Sequence, residues 1–402
     1  MAFAPLVTRL YGPEAFGQLG SFMAILSVVT PIAALAFPIA IVLPRDDRDA
    51  LGLVRLSAIL SFLVALLVAV GLWQSGDLVA SVLGAESVAG YLLLIPLAML
   101  FSAWMQIAQQ WLIRKKAFSV TARTAVVQSL ILNSAKAGIG WLHPVGAALM
   151  ILATLGNALH AALLLIGARL DYQGNAINKD KERGASLKDL ACQHRDFPLY
   201  RAPQDFINAA SQSLPVLMLA SLFGPAAAGF YALGKMVMGM PSMLIGKAVG
   251  DVFYPRMTEA AQKRENLSQH ILRATGVLLL IGIIPFGLTM ILGPWLFSLV
   301  FGDEWAMAGE YARWLALFFL LNFINKPSVA TVPVLGIQRG YLVYELFSTA
   351  AKVLALVIGF YWFGSDLWAI ALFSVIGAIT YSGMIIWVLA HSIRCKSNVT
   401  TN

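Results

Sequence analysis

Several ionisable side chains of this 402-residue sequence fall inside long apolar segments, where an unpaired charge costs at least a few kcal/mol. Lys136 shares one helical face with Ser129 and Asn133. Groups of this kind usually serve a function in membrane proteins, so each is a candidate for substrate binding or ion coupling. The other candidates are Arg123; Asp205, Asn208 and Gln212 on one helical face; Lys235; Lys326, which follows Asn322 and Asn325; and Glu345, in line with Ser348 and Lys352.

These residue types have the chemistry to bind a phosphorylated sugar inside a membrane. Ammonium groups at Lys136, Lys235 and Lys326 would neutralise a pyrophosphate, and Arg123 would add a further cation. Amides and hydroxyls would hydrogen-bond sugar hydroxyls; the candidates are Ser129, Asn133, Asn208 and Gln212. We therefore interpret these residues as the lining of one hydrated substrate cavity.

A second interpretation assigns the same side chains to helix packing. Each lysine would then pair with a carboxylate such as Asp205, and the amides and hydroxyls would hydrogen-bond between helices. Arg123 would only flank a helix at the cytoplasmic surface. The sequence leaves both interpretations open for these residues.

Two carboxylates inside the apolar segments could bind a coupling cation, Na⁺ or H⁺, in exchange for the substrate. They are Asp205 and Glu345. We expect no other cofactor, no metal site and no catalytic residue, because the sequence contains no phosphate loop, metal-binding cluster or nucleophile elbow. Lys247 and Lys352 are expected to extend towards the inner membrane surface, with their aliphatic stems in the apolar layer.

The composition identifies a protein that crosses the membrane many times. Hydrophobic residues make up 59% of the chain, charged residues 12%, and the mean hydropathy is +0.78. Apolar runs of about 20 residues, long enough for a bilayer core of about 30 Å, recur along the whole length. We predict eleven full spans near 17–43, 51–73, 89–113, 118–141, 145–169, 197–222, 228–251, 271–294, 311–335, 340–363 and 366–391.

The positive charges lie on alternate loops of this arrangement. The loops on one side, with their flanking turns, hold 22 of the 28 lysines and arginines, which makes that side cytoplasmic. The net charge of +8 therefore reflects membrane orientation and does not indicate a nucleic-acid partner. Cys192 and Cys395 fall on the cytoplasmic side, where we expect no disulfide.

A repeated turn organises the chain into two halves. Tyr11-Gly12-Pro13-Glu14-Ala15-Phe16-Gly17 returns 212 residues later as Phe223-Gly224-Pro225-Ala226-Ala227-Ala228-Gly229. The helices that follow are predicted to end at Leu43-Pro44-Arg45 and at Tyr254-Pro255-Arg256. A weaker echo, at an offset of 218, pairs Val82-Leu83-Gly84-Ala85-Glu86 with Val300-Phe301-Gly302-Asp303-Glu304. We predict an N-terminal lobe at 1–169, a cytoplasmic linker at 170–196 and a C-terminal lobe at 197–402.

The two copies of the turn differ in what precedes them. A complete predicted helix, 197–222, leads into the second copy, whereas only Met1 to Tyr11 precede the first. Projected back by the repeat, the missing counterpart begins about 15 residues before Met1. We therefore expect a truncated first helix; the alternative is that Met1 is the natural start and that the short segment lies at the interface.

The first turn, with Thr8-Arg9-Leu10 before it and a helix ending at Pro44-Arg45 after it, resembles the start of bacterial polysaccharide-biosynthesis flippases. That family includes the O-antigen flippases of lipopolysaccharide assembly and belongs to the superfamily of multidrug, oligosaccharidyl-lipid and polysaccharide exporters. The resemblance implies an all-α protein with two homologous six-helix lobes around a central cleft. It further implies alternating access that carries an isoprenoid-pyrophosphate-linked oligosaccharide across the inner membrane. The expected partners are this lipid-linked oligosaccharide, membrane lipids and polysaccharide-assembly proteins.

Three other functions fit parts of the sequence. A multidrug or small-solute exporter of the same superfamily would share the fold, but the four intramembrane lysines favour an anionic substrate. A major-facilitator carrier also has two six-helix halves, but its characteristic basic loop is absent at 44–50. A membrane-bound glycosyltransferase or polymerase needs acidic catalytic residues in large loops, and the predicted outer loops are short.

Overall fold

A computed structural model of the chain describes residues 3–84, 86–173, 185–263 and 265–400. Helices account for nearly all of these residues, and no strand occurs among them. The predicted all-α architecture is therefore confirmed. The chain forms two compact units, Met1–Ala228 and Gly229–Asn402. The lobe boundaries at 169 and 197 stay a prediction.

The first unit contains nine helices within the described residues. They are α1 (Ala4–Leu10), α2 (Pro13–Ala33), α3 (Phe37–Ala40), α4 (Asp47–Leu83), α5 (Leu94–Arg114), α6 (Phe118–Leu142), α7 (Gly146–Gln173), α8 (Leu187–Gln193) and α9 (Ala202–Phe223). Helix α2 packs against α5, α7 and α9, and Ser27 on α2 hydrogen-bonds Ser213 on α9 over 2.8 Å. Helix α9, predicted to open the second lobe, thus packs within the first unit.

The second unit is built from the six helices that follow. They are α10 (Pro225–Gln262), whose first turn belongs to the first unit, α11 (Leu267–Phe301), α12 (Ala306–Ile324), α13 (Lys326–Leu335), α14 (Gln338–Phe363) and α15 (Asp366–Thr400). The tightest helix pair is α11 with α12, where Gly293 and Gly309 allow the two backbones to touch. Helix α15 packs against both α12 and α14.

Eight helical segments in the described part of the chain are long and apolar enough to cross a membrane. They are Pro13–Ala33, Asp47–Ser81, Gly146–Ala168, Phe197–Phe223, Leu267–Phe301, Asp303–Leu335, Gln338–Phe363 and Asp366–Ile393. The predicted spans at 89–113, 118–141 and 228–251 coincide with α5, α6 and α10. Polar residues such as Gln109 and Lys136 lower the mean hydropathy of α5 and α6. The chain is a multi-pass membrane protein, and the number of eleven full spans stays a prediction.

Both echoes of the sequence repeat are visible in the backbone. Pro13 and Pro225 each occupy the first position of a long helix. A backbone N–H at this position has no partner within the helix, so a proline there costs no hydrogen bond. Gly84 and Gly302 end α4 and α11 with φ of 59° and 112°, and a 3₁₀ turn follows each. A positive φ favours glycine, so Gly84 and Gly302 are equivalent helix-ending positions in the two halves.

Two predicted helix ends are wrong. The helix predicted to run to Leu43 ends at Ala33, and Leu35 and Ala36 then adopt φ of 50° and 59° before α3 begins. Left-handed conformations strain residues that have a Cβ, so this break is held by its surroundings. In the second copy α10 continues through Pro255 to Gln262. A proline removes only one backbone donor, and long membrane helices tolerate that loss.

The inner loop after α3 is held by a buried arginine. Arg114, whose side chain is 10% exposed, donates to the Asp47 carboxylate over 2.9 Å and to the carbonyl of Pro44 over 2.6 Å. It also reaches the carbonyls of Ile41 and Arg45. A rigid guanidinium with five donors suits this arrangement, which fixes the loop to the end of α5.

The corresponding loop of the second unit carries its own ionic network. Glu265 accepts from Arg256 over 2.7 Å and lies 2.8 Å from His270 Nε2. The hydrogen bond with His270, followed by that from Arg256, holds the pKa of the Glu265 carboxyl below its usual value. Both inner loops that follow the Gly-Pro helices are therefore tied by charged side chains.

Exposed tryptophans mark the opposite ends of the helices. Trp73, Trp141 and Trp362 have exposed fractions of 83%, 83% and 81%. Trp141 and Trp362 stand at the ends of α6 and α14 away from the basic loops, and Trp73 precedes the kink of α4 at Ser75. Tryptophan is enriched where the apolar core of a membrane meets water. These positions agree with the orientation that the positive charges predict.

The predicted linker is partly described. Residues 174–184 lie outside the described residues; α7 extends to Gln173, and α8 packs on α4, where Leu190 fills the space left by Gly52. Cys192 on α8 is exposed and unpaired. The side chain of Cys395 lies outside the described part of the chain.

Candidate functional site

Lys352 lies midway along α14, and its ammonium group is held over two aromatic rings. The Nζ atom is 5.9 Å from the ring centroid of Phe318 on α12 and 5.5 Å from that of Tyr381 on α15. The face of an aromatic ring attracts a cation, and the attraction grows as water is removed. The prediction that Lys352 extends to the inner surface is therefore wrong. The side chain of Lys247 lies outside the described residues.

Lys326 and Lys235 lie on the α10 side of the same unit. The aliphatic part of Lys326 passes Gly246, with Cε 3.5 Å from the position that a Cβ would occupy there. Lys235 precedes Gly246 by eleven residues, which returns to the same helical face about 16 Å away along the axis. Both lysines are half-buried. Lys235 of α10 and the stem of Lys326 of α13 therefore lie along one face of α10.

Glu345 lies near two of these lysines. Its carboxylate is within electrostatic range of Lys326 and Lys352, and also of the hydroxyls of Tyr341, Tyr344 and Tyr381. It forms no ion pair within 4.0 Å with any described lysine or arginine. The carboxylate therefore balances the charge of both lysines without being held by either.

Hydrogen bonds between α14 and α15 set the position of Glu345. The Tyr344 hydroxyl donates to the carbonyl of Thr380 over 2.5 Å, and Ser348 donates to the Thr380 hydroxyl over 3.0 Å. Tyr344 precedes Glu345 and Ser348 follows it by three residues. The predicted alignment of Glu345, Ser348 and Lys352 on one face of α14 is consistent with these contacts, and Ser348 serves helix packing.

The junction between α12 and α13 adds buried polar atoms beside Lys326. Asn325 is 3% exposed, and its Oδ1 atom has no hydrogen-bond partner; Ser328 Oγ is likewise buried and unpartnered. Pro327 removes a backbone donor at the same turn. Asn322, one turn earlier, is a side-chain neighbour of the Tyr381 hydroxyl. The sequence places Asn322 and Asn325 shortly before Lys326, but it does not predict that Asn325 is buried.

In the first unit the predicted stripe of α6 is present but carries no carboxylate. Asn133 donates to the Ser129 carbonyl over 2.7 Å and approaches the Ser129 hydroxyl at 3.2 Å. Lys136 is half-buried and forms no ion pair with a described acidic residue. The Tyr11 hydroxyl donates to the Lys136 carbonyl over 3.1 Å, which ties the chain after α1 to α6. Arg123 is exposed on α6.

The polar residues of α9 are engaged with one another. Asp205 accepts from Arg201 over 3.0 Å, so its partner is an arginine one turn away and not one of the candidate lysines. Gln212 and Asn208 share a weak hydrogen bond of 3.4 Å. All three lie on exposed or half-buried parts of the helix. A structural role for Asp205 therefore competes with the predicted role in ion coupling.

No cluster of three histidine, cysteine or acidic side chains that could hold a metal ion occurs among the described residues. What the site offers instead is cationic. Among the described side chains of the second unit, Lys326 and Lys352 both lie near the carboxylate of Glu345. Such a cluster can stabilise a multiply charged anion in a setting of low dielectric constant.

The sequence as a whole has a recognisable family pattern. The profile of the polysaccharide biosynthesis protein family matches residues 6–310, about three quarters of the chain. This chain belongs to that family. The resemblance inferred from the Gly-Pro turn is thus confirmed for this polysaccharide biosynthesis protein.

One relative of this polysaccharide biosynthesis protein has a curated description. The succinoglycan biosynthesis transport protein ExoT of Rhizobium meliloti (strain 1021) is 24% identical over 346 residues. The match covers 85% of this chain and 66% of ExoT, just under two thirds of that protein.

Solved structures show which transporter fold the polysaccharide biosynthesis protein has. It matches an inward-facing multidrug-resistance MATE transporter of the MOP superfamily with a TM-score of 0.72 and 15% identity, covering 100% of this chain and 95% of the other. It matches the lipid II flippase MurJ, in an inward closed conformation, with a TM-score of 0.69 and 12% identity, covering 99% and 88%. At these identities the likeness shows the fold, which this chain shares with both solved transporters.

Proposed function

We propose that this protein is a flippase that carries an isoprenoid-pyrophosphate-linked oligosaccharide across the bacterial inner membrane during surface polysaccharide biosynthesis. Transport would proceed by alternating access. The protein would act as a transporter without a catalytic residue. Its partners would be the lipid-linked oligosaccharide, the surrounding lipids and proteins of polysaccharide assembly.

The observation that carries this proposal is the excess of lysine inside the second unit. Lys326 and Lys352 both lie in membrane-spanning segments and near the carboxylate of Glu345. We include Lys235 of α10 in the proposed site. Keeping two ammonium groups beside one carboxylate in an apolar layer is costly unless a further anion balances them. A diphosphate supplies several negative charges in one compact group and cannot otherwise cross the apolar layer.

The polar residues near the candidate lysines of each unit suit the sugar part of such a substrate. Asn322 and Asn325 lie next to Lys326, and Ser129 and Asn133 accompany Lys136 in the first unit. Amide and hydroxyl groups can exchange their hydrogen bonds with sugar hydroxyls at little net cost, because both partners remain satisfied. We include Arg123, Asn208 and Gln212 in the proposed substrate path as its more exposed part.

A coupling cation, Na⁺ or H⁺, would return in exchange for the substrate. Glu345 suits this role better than Asp205, because Asp205 already has Arg201 as its partner at 3.0 Å. Glu345 has only longer-range lysine neighbours. A displaced Glu345 carboxylate would need a cation to remain in the membrane.

Deleting the gene in its host tests the substrate class. We expect the cells to lose a surface polysaccharide and to accumulate its lipid-linked oligosaccharide on the cytoplasmic leaflet, since synthesis continues when transport stops. Lipid extraction with mass spectrometry measures the accumulation, and a plasmid copy of the gene serves as the control. Unchanged polysaccharide together with unchanged lipid-linked oligosaccharide would contradict the proposal.

A multidrug or small-solute exporter is the second candidate. The observation that favours it is the fold comparison, in which the multidrug-resistance transporter has a TM-score of 0.72 against 0.69 for the flippase. The same deletion separates the two functions. An exporter predicts increased sensitivity to toxic compounds with normal polysaccharide, whereas the flippase predicts the reverse.

A further inference from the structure

Glu345 differs in its surroundings from the five acidic side chains of the described chain that form ion pairs. Asp47, Asp205, Glu259, Glu265 and Glu310 each contact a basic side chain directly, within 4.0 Å. Glu345 lies among two lysines and three tyrosines without contacting either lysine. It is half-buried and lies inside a membrane-spanning helix. Its position therefore requires an explanation other than a fixed ion pair.

The two lysines beside Glu345 are each held by something else. Lys352 rests on the faces of Phe318 and Tyr381, at 5.9 and 5.5 Å from the ring centroids. The stem of Lys326 lies along Gly246 on α10. The aromatic faces hold the Lys352 ammonium group, and packing on α10 places the stem of Lys326, so each lysine has a contact other than Glu345.

The position of Glu345 along α14 also places its side chain on the same face as Lys352. Glu345 and Lys352 are seven residues apart on α14 and share one face. The Tyr344 and Ser348 hydrogen bonds to Thr380 fix the backbone on both sides of Glu345. The side chain retains its own rotational freedom, and the nearby charges attract it from two sides.

We propose that Glu345 is a tethered counter-ion that competes with the substrate diphosphate for Lys326 and Lys352. Without substrate the carboxylate partly neutralises the two ammonium groups. When the diphosphate binds, the carboxylate is displaced, and when it returns it helps to expel the diphosphate. This inference rests on the proposed function and adds the residue that keeps binding reversible.

The physical reason is that a transporter must release what it binds. Two lysines in a setting of low dielectric constant would hold a diphosphate tightly and for a long time. A carboxylate nearby repels each negative charge of the ligand, so the penalty is larger for a diphosphate than for a monophosphate. Glu345 therefore lowers the affinity for a diphosphate more than the affinity for a monophosphate.

Binding of inorganic diphosphate to the purified full-length protein tests this role. The protein is placed in nanodiscs of phosphatidylcholine, and affinities for inorganic diphosphate and inorganic phosphate are measured by calorimetry. We expect Glu345→Gln to bind diphosphate more tightly, on the order of tenfold, with a smaller gain for phosphate. Glu304→Gln, the same change at an exposed outer residue, should leave both affinities unchanged. Glu345→Asp, which keeps the charge, should resemble the wild type.

Transport gives the second readout, and it should move in the opposite direction. Glu345→Gln is expected to slow polysaccharide export although it binds diphosphate more tightly. If the Glu345→Gln protein is not monodisperse, Glu345→Ser is used in its place, because it removes the same charge. Equal diphosphate affinity in wild type and variant would overturn the counter-ion role while leaving the proposed function intact. A wild type that binds no diphosphate would instead contradict the substrate class.

Discussion

Replacing Lys326 or Lys235 with alanine should abolish surface polysaccharide while the protein stays in the membrane at its normal level. At an effective dielectric constant of about 20, one charge pair at about 4 Å is worth about 4 kcal/mol. Losing one lysine therefore weakens diphosphate binding by roughly a hundredfold to a thousandfold. Lys136→Ala in α6 is expected to have the same result.

Matched variants separate charge from packing in this experiment. Lys188→Ala removes a lysine from exposed α8 and should leave polysaccharide unchanged. Lys326→Arg and Lys235→Arg keep the charge and should retain part of the activity. Polysaccharide is measured by gel electrophoresis of surface glycans, and protein by immunoblot of membranes. Normal polysaccharide in all three alanine variants would remove the lysines from the substrate site.

The largest expected effect on stability belongs to Gly309→Ala. A Cβ at this position would lie 2.5 Å from the Gly293 carbonyl oxygen and 2.5 Å from Pro294 Cα. Both atoms belong to the backbone of α11, so no side chain can move aside to make room. The helices must separate, and overpacking of this kind costs about 1 to 3 kcal/mol.

Gly287→Ala is the matched control for this substitution. Gly287 lies in the same helix, α11, and has no atom within 4 Å of its Cβ position. Alanine favours helix over glycine, so this control should be neutral or slightly stabilising. Thermal unfolding of both variants in one detergent measures the difference. Equal unfolding temperatures for Gly309→Ala and Gly287→Ala would show that α11 and α12 do not pack as described.

Several helix boundaries and the membrane class of the protein could be predicted from the sequence, because both depend on local residue types. Pro13 and Pro225 begin helices, and Gly84 and Gly302 end them, since proline lacks a donor and glycine accepts a positive φ. Hydropathy and charge asymmetry depend on composition alone. The Gly-Pro turn, matched with its second copy, also indicated the family that the profile shows.

The break after α2 and the continuity of α10 could not be predicted in the same way. Leu35 and Ala36 have no intrinsic preference for a positive φ, so only tertiary packing around α3 explains their conformation. Pro255 looked like a helix end because proline usually is one outside membranes. Whether a helix continues past such a residue depends on its neighbours in space.

The candidate site was predicted in its members but not in its arrangement. Lys326, Lys352 and Glu345 could be identified because ionisable residues are rare in apolar segments. That Lys352 rests on Phe318 and Tyr381 depends on contacts among three helices, which helical spacing along one of them does not specify. The packing interpretation paired Asp205 with a lysine, whereas its partner Arg201 lies one turn away.

Reconstituted transport tests the central claim most directly. The purified protein is placed in liposomes that contain a lipid-pyrophosphate-linked oligosaccharide, and an impermeant glycan-cleaving enzyme reports how much substrate reaches the outer leaflet. We predict that the wild-type protein exposes the substrate that starts on the inner leaflet, and that the Lys326→Ala variant does not. Equal exposure in liposomes with wild-type protein and in protein-free liposomes would contradict the account.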